Sequence, residues 1–171
     1  TSLVALGHSV VVASPPVVAA RFGLAEAGAE LVALEIGSRP LPQRDRRSVA
    51  ALREAMTGVD VVHAHGVRAG ALSVLAREDR HPPLVVTTHN TAPEGRLAAV
   101  VHWNLDRVVC RGADLVLGVS QDLIQTARDR GARDVAPAVV PAASAEPTRD
   151  RSEVRRELGL DDDSTPLVVA V

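Results

Sequence analysis

The stretch VDVVHAHG (Val59–Gly66) is an apolar run that closes on two histidines and a glycine, and it has two counterparts downstream. These are LVVTTHN (Leu84–Asn90) and ADLVLGVS (Ala113–Ser120), each apolar and each ending in polar residues. Helix-length stretches separate the three, one beginning at Val67 and the other spanning Glu94–Gly112. A parallel return between strands needs a crossover of about a dozen residues or more, so this alternation predicts a parallel sheet. Ligands of such sheets sit beyond the carboxyl ends of the strands. That edge would gather His63, His65, His89, Asn90 and Ser120. The expected fold is α/β, a Rossmann-like doubly wound parallel sheet.

Upstream, Thr1–Leu6 reads as the end of a helix stopped by Gly7, and His8–Ala13 as a buried strand. The domain thus opens mid-element and is expected to lack its first strand. In the doubly wound order that strand would lie between His8–Ala13 and Val59–His65, so a gap in the sheet is expected there. Two exposed strand edges would leave the 171-residue chain marginally stable and prone to aggregation. Ser14-Pro15-Pro16 reads as a loop, Arg21–Ala29 as a short helical or irregular stretch, and Glu30–Glu35 as a strand. A Pro-containing loop over Gly37–Arg47 would lead into a helix over Ser48–Thr57, capped by Ser48 and ended by Gly58.

Downstream, Arg68–Glu78 reads as a helix. In Glu94–Gly112 the positions Leu97, Val100, Val101, Leu105, Val108 and Val109 follow three-four spacing and are expected to form one buried face. Ser120 is placed as an N-cap with Asp122 in the first turn; Leu123, Ile124 and Ala127 form the buried stripe, and Gly131 ends that helix. Ala138–Pro141 is expected as a short strand, Ala142–Asp150 as linker, and Arg151–Leu158 as a charged helix stopped by Gly159. Asp161–Asp163 would be a polar turn and Pro166–Val171 a new buried strand. The expected organisation is a Rossmann-like domain over residues 1–145, a linker and short helix over 146–165, and the first strand of a further domain over 166–171. The full protein is expected to continue past Val171 into a second Rossmann-like domain.

Composition excludes several classes. A net charge of −2 offers no electrostatic case for nucleic acid. Phe22 and Trp103 are the only aromatic residues, too few for a stacking platform. No apolar run approaches the roughly 20 residues that a membrane span needs. The single cysteine, Cys110, forms no internal disulfide and fits a reducing compartment, so a cytoplasmic location is expected.

His63 and His65 project from the same side of a strand, since side chains alternate. They could begin a metal-dependent hydrolase site; the alternative is one histidine packed in the sheet and one lining a cleft. The chain has no lysine to supply a carbamylated bridging ligand, and no metal is expected. The His89 imidazole and Asn90 amide could hydrogen-bond the hydroxyls of a sugar or polyol, and the rival reading is a local turn capped by Asn90. Gly66 either brings a ligand close to the backbone or makes a tight turn. Ser120 reads first as a cap.

The succession GHSVVVA, DVVHAHG, PLVVTTHN, ADLVLGVS, VVP, RRELGL and PLVVAV resembles the N-terminal half of family-4-type retaining glycosyltransferases of GT-B architecture. The resemblance runs from about Leu3 to Val171. It implies an acceptor-side domain of an enzyme that moves a sugar, of the hexosyl type, from a nucleotide-sugar donor to a hydroxyl acceptor with retention. The donor is a co-substrate, and no cofactor is implied. By resemblance His89 is the catalytic candidate, with His65, Gly66 and Ser120 as cleft-edge positions that bind substrate; Asn90 joins them as a substrate-binding candidate on the chemistry of its amide. The resemblance also leaves open peripheral association of the full-length enzyme with membranes. The family's opening strand and glycine-rich loop, and the paired glutamates of its donor domain, are not found here, so this piece alone is expected to be inactive. A sugar-nucleotide epimerase of the same architecture is the alternative within that resemblance.

Overall fold

Strands and helices alternate along the computed structural model, which describes residues 2–37, 40–79, 81–89, 95–139, 149–160 and 166–167. The order is α1 (Ser2–Ala5), β1 (Val11–Ser14), α2 (Pro16–Arg21), β2 (Glu30–Ala33), α3 (Pro42–Ala55), β3 (Val62–His65), α4 (Val67–Ala76), β4 (Leu84–Thr88), α5 (Arg96–Gly112), β5 (Leu115–Gly118), α6 (Gln121–Asp129), β6 (Val135–Pro137) and α7 (Arg151–Glu157). The chain forms two compact units, Thr1–Val139 and Val140–Val171. In the second, Asp150 caps α7, its carboxylate accepting a hydrogen bond from the Ser152 amide at 2.8 Å. The Arg149 guanidinium pairs with Glu157 at 2.6 Å.

All strand pairs in the first unit are parallel. One sheet has the order β3-β4-β5-β6 and the other pairs β1 with β2. No ladder joins β1 to β3 among the described residues, so the sheet is interrupted where a gap was expected. β4 is central because its run of Leu, Val and Thr is buried on both faces, the pattern of a covered parallel strand. The main core joins Ala64, Ala71, Leu84, Val86, Val109, Cys110 and Val116. Gly70 lets α4 lie close on β4, since a Cβ there would come within 2.7 Å of Val86 Cγ1. A second core, Leu34, Leu52, Met56, Leu72 and Ala76, has Ala13 of β1 and Val62 of β3 packed against it. It bridges the interruption with side chains instead of backbone hydrogen bonds.

Several elements differ from expectation. α3 begins at Pro42, not Ser48, because proline at the first helical position has the right φ and lacks only an N–H that has no intrahelical partner there. Asp45 then reaches back to accept from the Leu41 amide at 3.1 Å. Ser48, expected as the cap, is buried inside the helix, and its hydroxyl donates to the Glu35 carbonyl at 3.1 Å. The same logic makes Pro16 the start of α2, where a loop was expected, with Arg21 its last residue instead of its first. A strand was expected over Ala138–Pro141; the observed one is Val135–Pro137, Ala138 and Val139 lie beyond it, and residues 140–141 fall outside the described residues.

The buried face of α5 is carried by Asp106, Val109 and Cys110, while Leu97 is 80% exposed and Val100 and Trp103 are also exposed. Three-four spacing makes a stripe but does not supply a neighbour, and among the described residues Leu97, Val100 and Trp103 in the N-terminal turns of α5 stay exposed. The strand expected over Pro166–Val171 and the turn over Asp161–Asp163 fall largely or wholly outside the described residues.

Candidate functional site

β3, β4 and β5 bring their carboxyl ends into line. His65 stands opposite Thr87, and Thr88 opposite Gly118. Alternation along β3 buries Ala64 in the main core and leaves His63 and His65 exposed on the other face. Neither histidine is packed inside the sheet, which removes one of the two structural readings. His89 follows the last residue of β4 and is exposed.

The three imidazoles meet. His63 Nε2 lies 2.7 Å from Thr87 Oγ1, and His65 Nδ1 lies 3.3 Å from His89 Nε2. The ring centroids of His63 and His65 are 4.3 Å apart, and those of His65 and His89 are 5.6 Å apart with the rings stacked. Burial lowers the pKa of His65, and the neighbouring His89 lowers it further. Burial, then His65 and His89, do the same to His63. Low local dielectric and adjacent like charge both disfavour the protonated form, so His63 and His65 favour neutral rings.

Gly66 closes the β3 edge with φ +83° and ψ 159°, a conformation essentially confined to glycine. Its amide donates to the Thr87 carbonyl at 2.8 Å, and a Cβ on it would meet nothing within 4 Å. The residue is required by its backbone and leaves open space above it. Ser120 occupies the N-cap position of α6, where its carbonyl accepts from the Ile124 amide at 3.1 Å. Its side chain makes no cap bond to the helix backbone; instead a hydrogen bond from it holds the Asp122 carboxyl below the usual range. Asn90 lies outside the described residues. The structure thus brings His65 and His89 together and sets Gly66 and Ser120 along the same edge.

Two participants were not read from the sequence. Thr87 is buried and engages His63, a contact foreshadowed only by the polar pair that ends β4. Arg68, in the first turn of α4, donates to the Gly37 carbonyl at 3.3 Å and pairs with Asp45 at 2.8 Å. That strut ties the segment after the histidine strand to the start of α3, where a cleft of about 790 Å³ opens between Leu34, Leu41, Arg44 and Arg47.

Among the described residues no group of three or more His, Cys, Asp or Glu side chains is arranged to hold a metal ion. His63 Nε2 is engaged by Thr87 and His65 Nδ1 by His89, so the pair does not offer those nitrogens to a common ion. No helix among the described residues is long and apolar enough to cross a membrane.

With an exposed histidine cluster at the carboxyl edge of a parallel sheet, the sequence matches the glycosyl transferase 4-like domain over residues 1–143. The chain belongs to that family. No curated protein matches it. Membership makes this glycosyl transferase 4-like domain part of a glycosyltransferase, with a sugar donor and an acceptor as its substrates in general, and sets aside the hydrolase reading of His63 and His65.

Proposed function

We propose that this domain forms the acceptor side of a GT-B enzyme that transfers a hexosyl group from a nucleotide-sugar to a hydroxyl with retention of configuration. The observation that carries the reading is the His65–His89 contact at the open carboxyl edge of β3 and β4. A neutral imidazole at such an edge can exchange a hydrogen bond with a substrate hydroxyl, and that bond can strengthen as charge develops on the hydroxyl while the glycosidic bond to the nucleotide breaks. His89 is the residue assigned to that contact. His65, Gly66 and Ser120 line the edge around it, and Asn90, next in sequence, is assigned to the same substrate. The nucleotide-sugar is consumed as a substrate, and no resident cofactor enters the chemistry. The enzyme is assigned to the cytoplasm, working on acceptors in solution or at a membrane surface.

The test is nucleotide release by the enzyme that carries this chain, assayed against a panel of nucleotide-sugars and hydroxyl acceptors. Replacing His89 with Ala should lower kcat by an amount equivalent to about 2–4 kcal/mol, the cost of losing one strongly polarised hydrogen bond in the transition state. Stability should change little, because the ring is exposed. A rate within about twofold of the parent would return His89 to a turn residue, since even one neutral hydrogen bond is worth more than that.

A further inference from the structure

The facing nitrogens of His65 and His89, 3.3 Å apart, can bond only when one carries a proton and the other does not. Neutral histidine intrinsically favours the form protonated at Nε2. Both rings hold that form when His89 donates through Nε2–H to His65 Nδ1. The reverse arrangement forces both rings into the less favoured form. We propose that His65 is a positioning residue that holds His89 in its Nε2-protonated tautomer, leaving His89 Nδ1 as the acceptor for a substrate hydroxyl. The inference rests on the glycosyltransferase reading of His89 above and adds which hydrogen-bonding role the ring plays.

The surroundings support a one-way arrangement. His65 sits on a hydrogen-bonded strand in register with Thr87, and its ring packs against His63. His89 lies just beyond the end of its strand, and its one hydrogen bond among the described residues is to His65. The fixed ring therefore orients the freer one. Groups that could disturb the pair are few. His63 on β3 is held by the Thr87 hydroxyl, and Arg68 on α4 is turned to the Gly37 carbonyl and Asp45. Among the described residues no carboxylate contacts either ring. A proton on both facing nitrogens abolishes the bond, and one extra proton on either ring already leaves His89 Nδ1 protonated, so the arrangement exists only while the pair is uncharged.

The experiment is nitrogen-15 NMR of the histidine rings in the 171-residue chain at neutral pH, with kinetics in the enzyme that carries it. In the parent, His89 Nε2 should read as protonated and Nδ1 as bare. His65→Ala should average the two His89 nitrogens, and His65→Asn, whose side-chain oxygen lies near the lost Nδ1, should restore the separation. In the enzyme, His65→Ala should lower kcat about fivefold to tenfold with KM within about twofold, the loss of one neutral hydrogen bond. His65→Asn should return to within about twofold of the parent, and adding His65→Ala to His89→Ala should cost nothing further. A His89 ring protonated at Nδ1 in the parent, or a tautomer unmoved by His65→Ala, overturns the proposal. If His89→Ala slows the enzyme and His65→Ala does not, positioning is wrong and the function stands. If neither slows it, the role of His89 in transfer fails, while the tautomer measurement still decides what His65 does.

Discussion

β4 buries Leu84 and Val86 completely, whereas β2, comparably short and also apolar at its centre, leaves Leu31 41% exposed and turns Glu30 and Ala33 to solvent. Both strands belong to parallel sheets. The difference is in their neighbours. β4 is paired on both sides and carries α4 and α5, while β2 pairs, among the described residues, only with β1. Burial depth in this fold is thus set by how many elements surround a strand. The histidines illustrate the same point: β3 is covered on the face that carries Ala64 and open on the face that carries His63 and His65.

The sharpest way to break this comparison is to truncate one leucine in each sheet. Leu84→Ala should cost about 2–5 kcal/mol of unfolding free energy, while Leu31→Ala should stay within about 0.5 kcal/mol, because one leaves a cavity and the other a surface gap. Equal losses in urea titrations would show that the two sheets are equally buried. The next effect tests the link between them. Arg68→Ala removes the strut to Gly37 and Asp45, which are only partly exposed, and should cost about 1.5–3 kcal/mol, the range for hydrogen bonds to charged groups. Hydrogen exchange should rise in α3 more than in β4.

Gly70→Ala sharpens the packing side. The added Cβ, 2.7 Å from Val86 Cγ1, should cost about 1–3 kcal/mol from overpacking, which outweighs the gain of about 1 kcal/mol in helix propensity. A stabilised variant would mean that α4 can slide on β4. The smallest effect concerns pH. The pKa values of His63 and His65 are lowered in the folded state from 6.5, so the unfolded chain binds more protons there. Their contribution is intact above about pH 6.5 and is lost as pH falls through that value toward the folded ones. The drop in urea midpoint between pH 7.5 and 5.5 should be smaller in a His63→Asn/His65→Asn variant than in the parent. His102, also lowered by burial, is present in both and cancels.

The parallel arrangement was legible because VDVVHAHG, LVVTTHN and ADLVLGVS are short apolar runs separated by helix-length stretches. The stops at Gly7, Gly131 and Gly159 were legible too, and all three adopt positive φ. The starts of α2 and α3 were not, since proline was read as a loop signal where it serves as a first helical residue. The site was half legible. Strand ends placed His65, His89 and Ser120 on one edge, but nothing local could show that His65 meets His89 while His63 turns to Thr87.

By itself, then, the sequence determined what local rules decide: strand length, side-chain alternation, glycine stops and the chain order that makes the sheet parallel. It also carried enough ordered pattern for the family to be recognised. Tertiary structure alone decided which faces are covered, and so why Leu97 is exposed while Asp106 is buried on the same helix. It likewise decided that two imidazoles 24 residues apart face each other across 3.3 Å. The physical reason is one of range. Periodicity reports the direction in which a side chain points along its own element, whereas burial and hydrogen bonding depend on what other elements place in front of it.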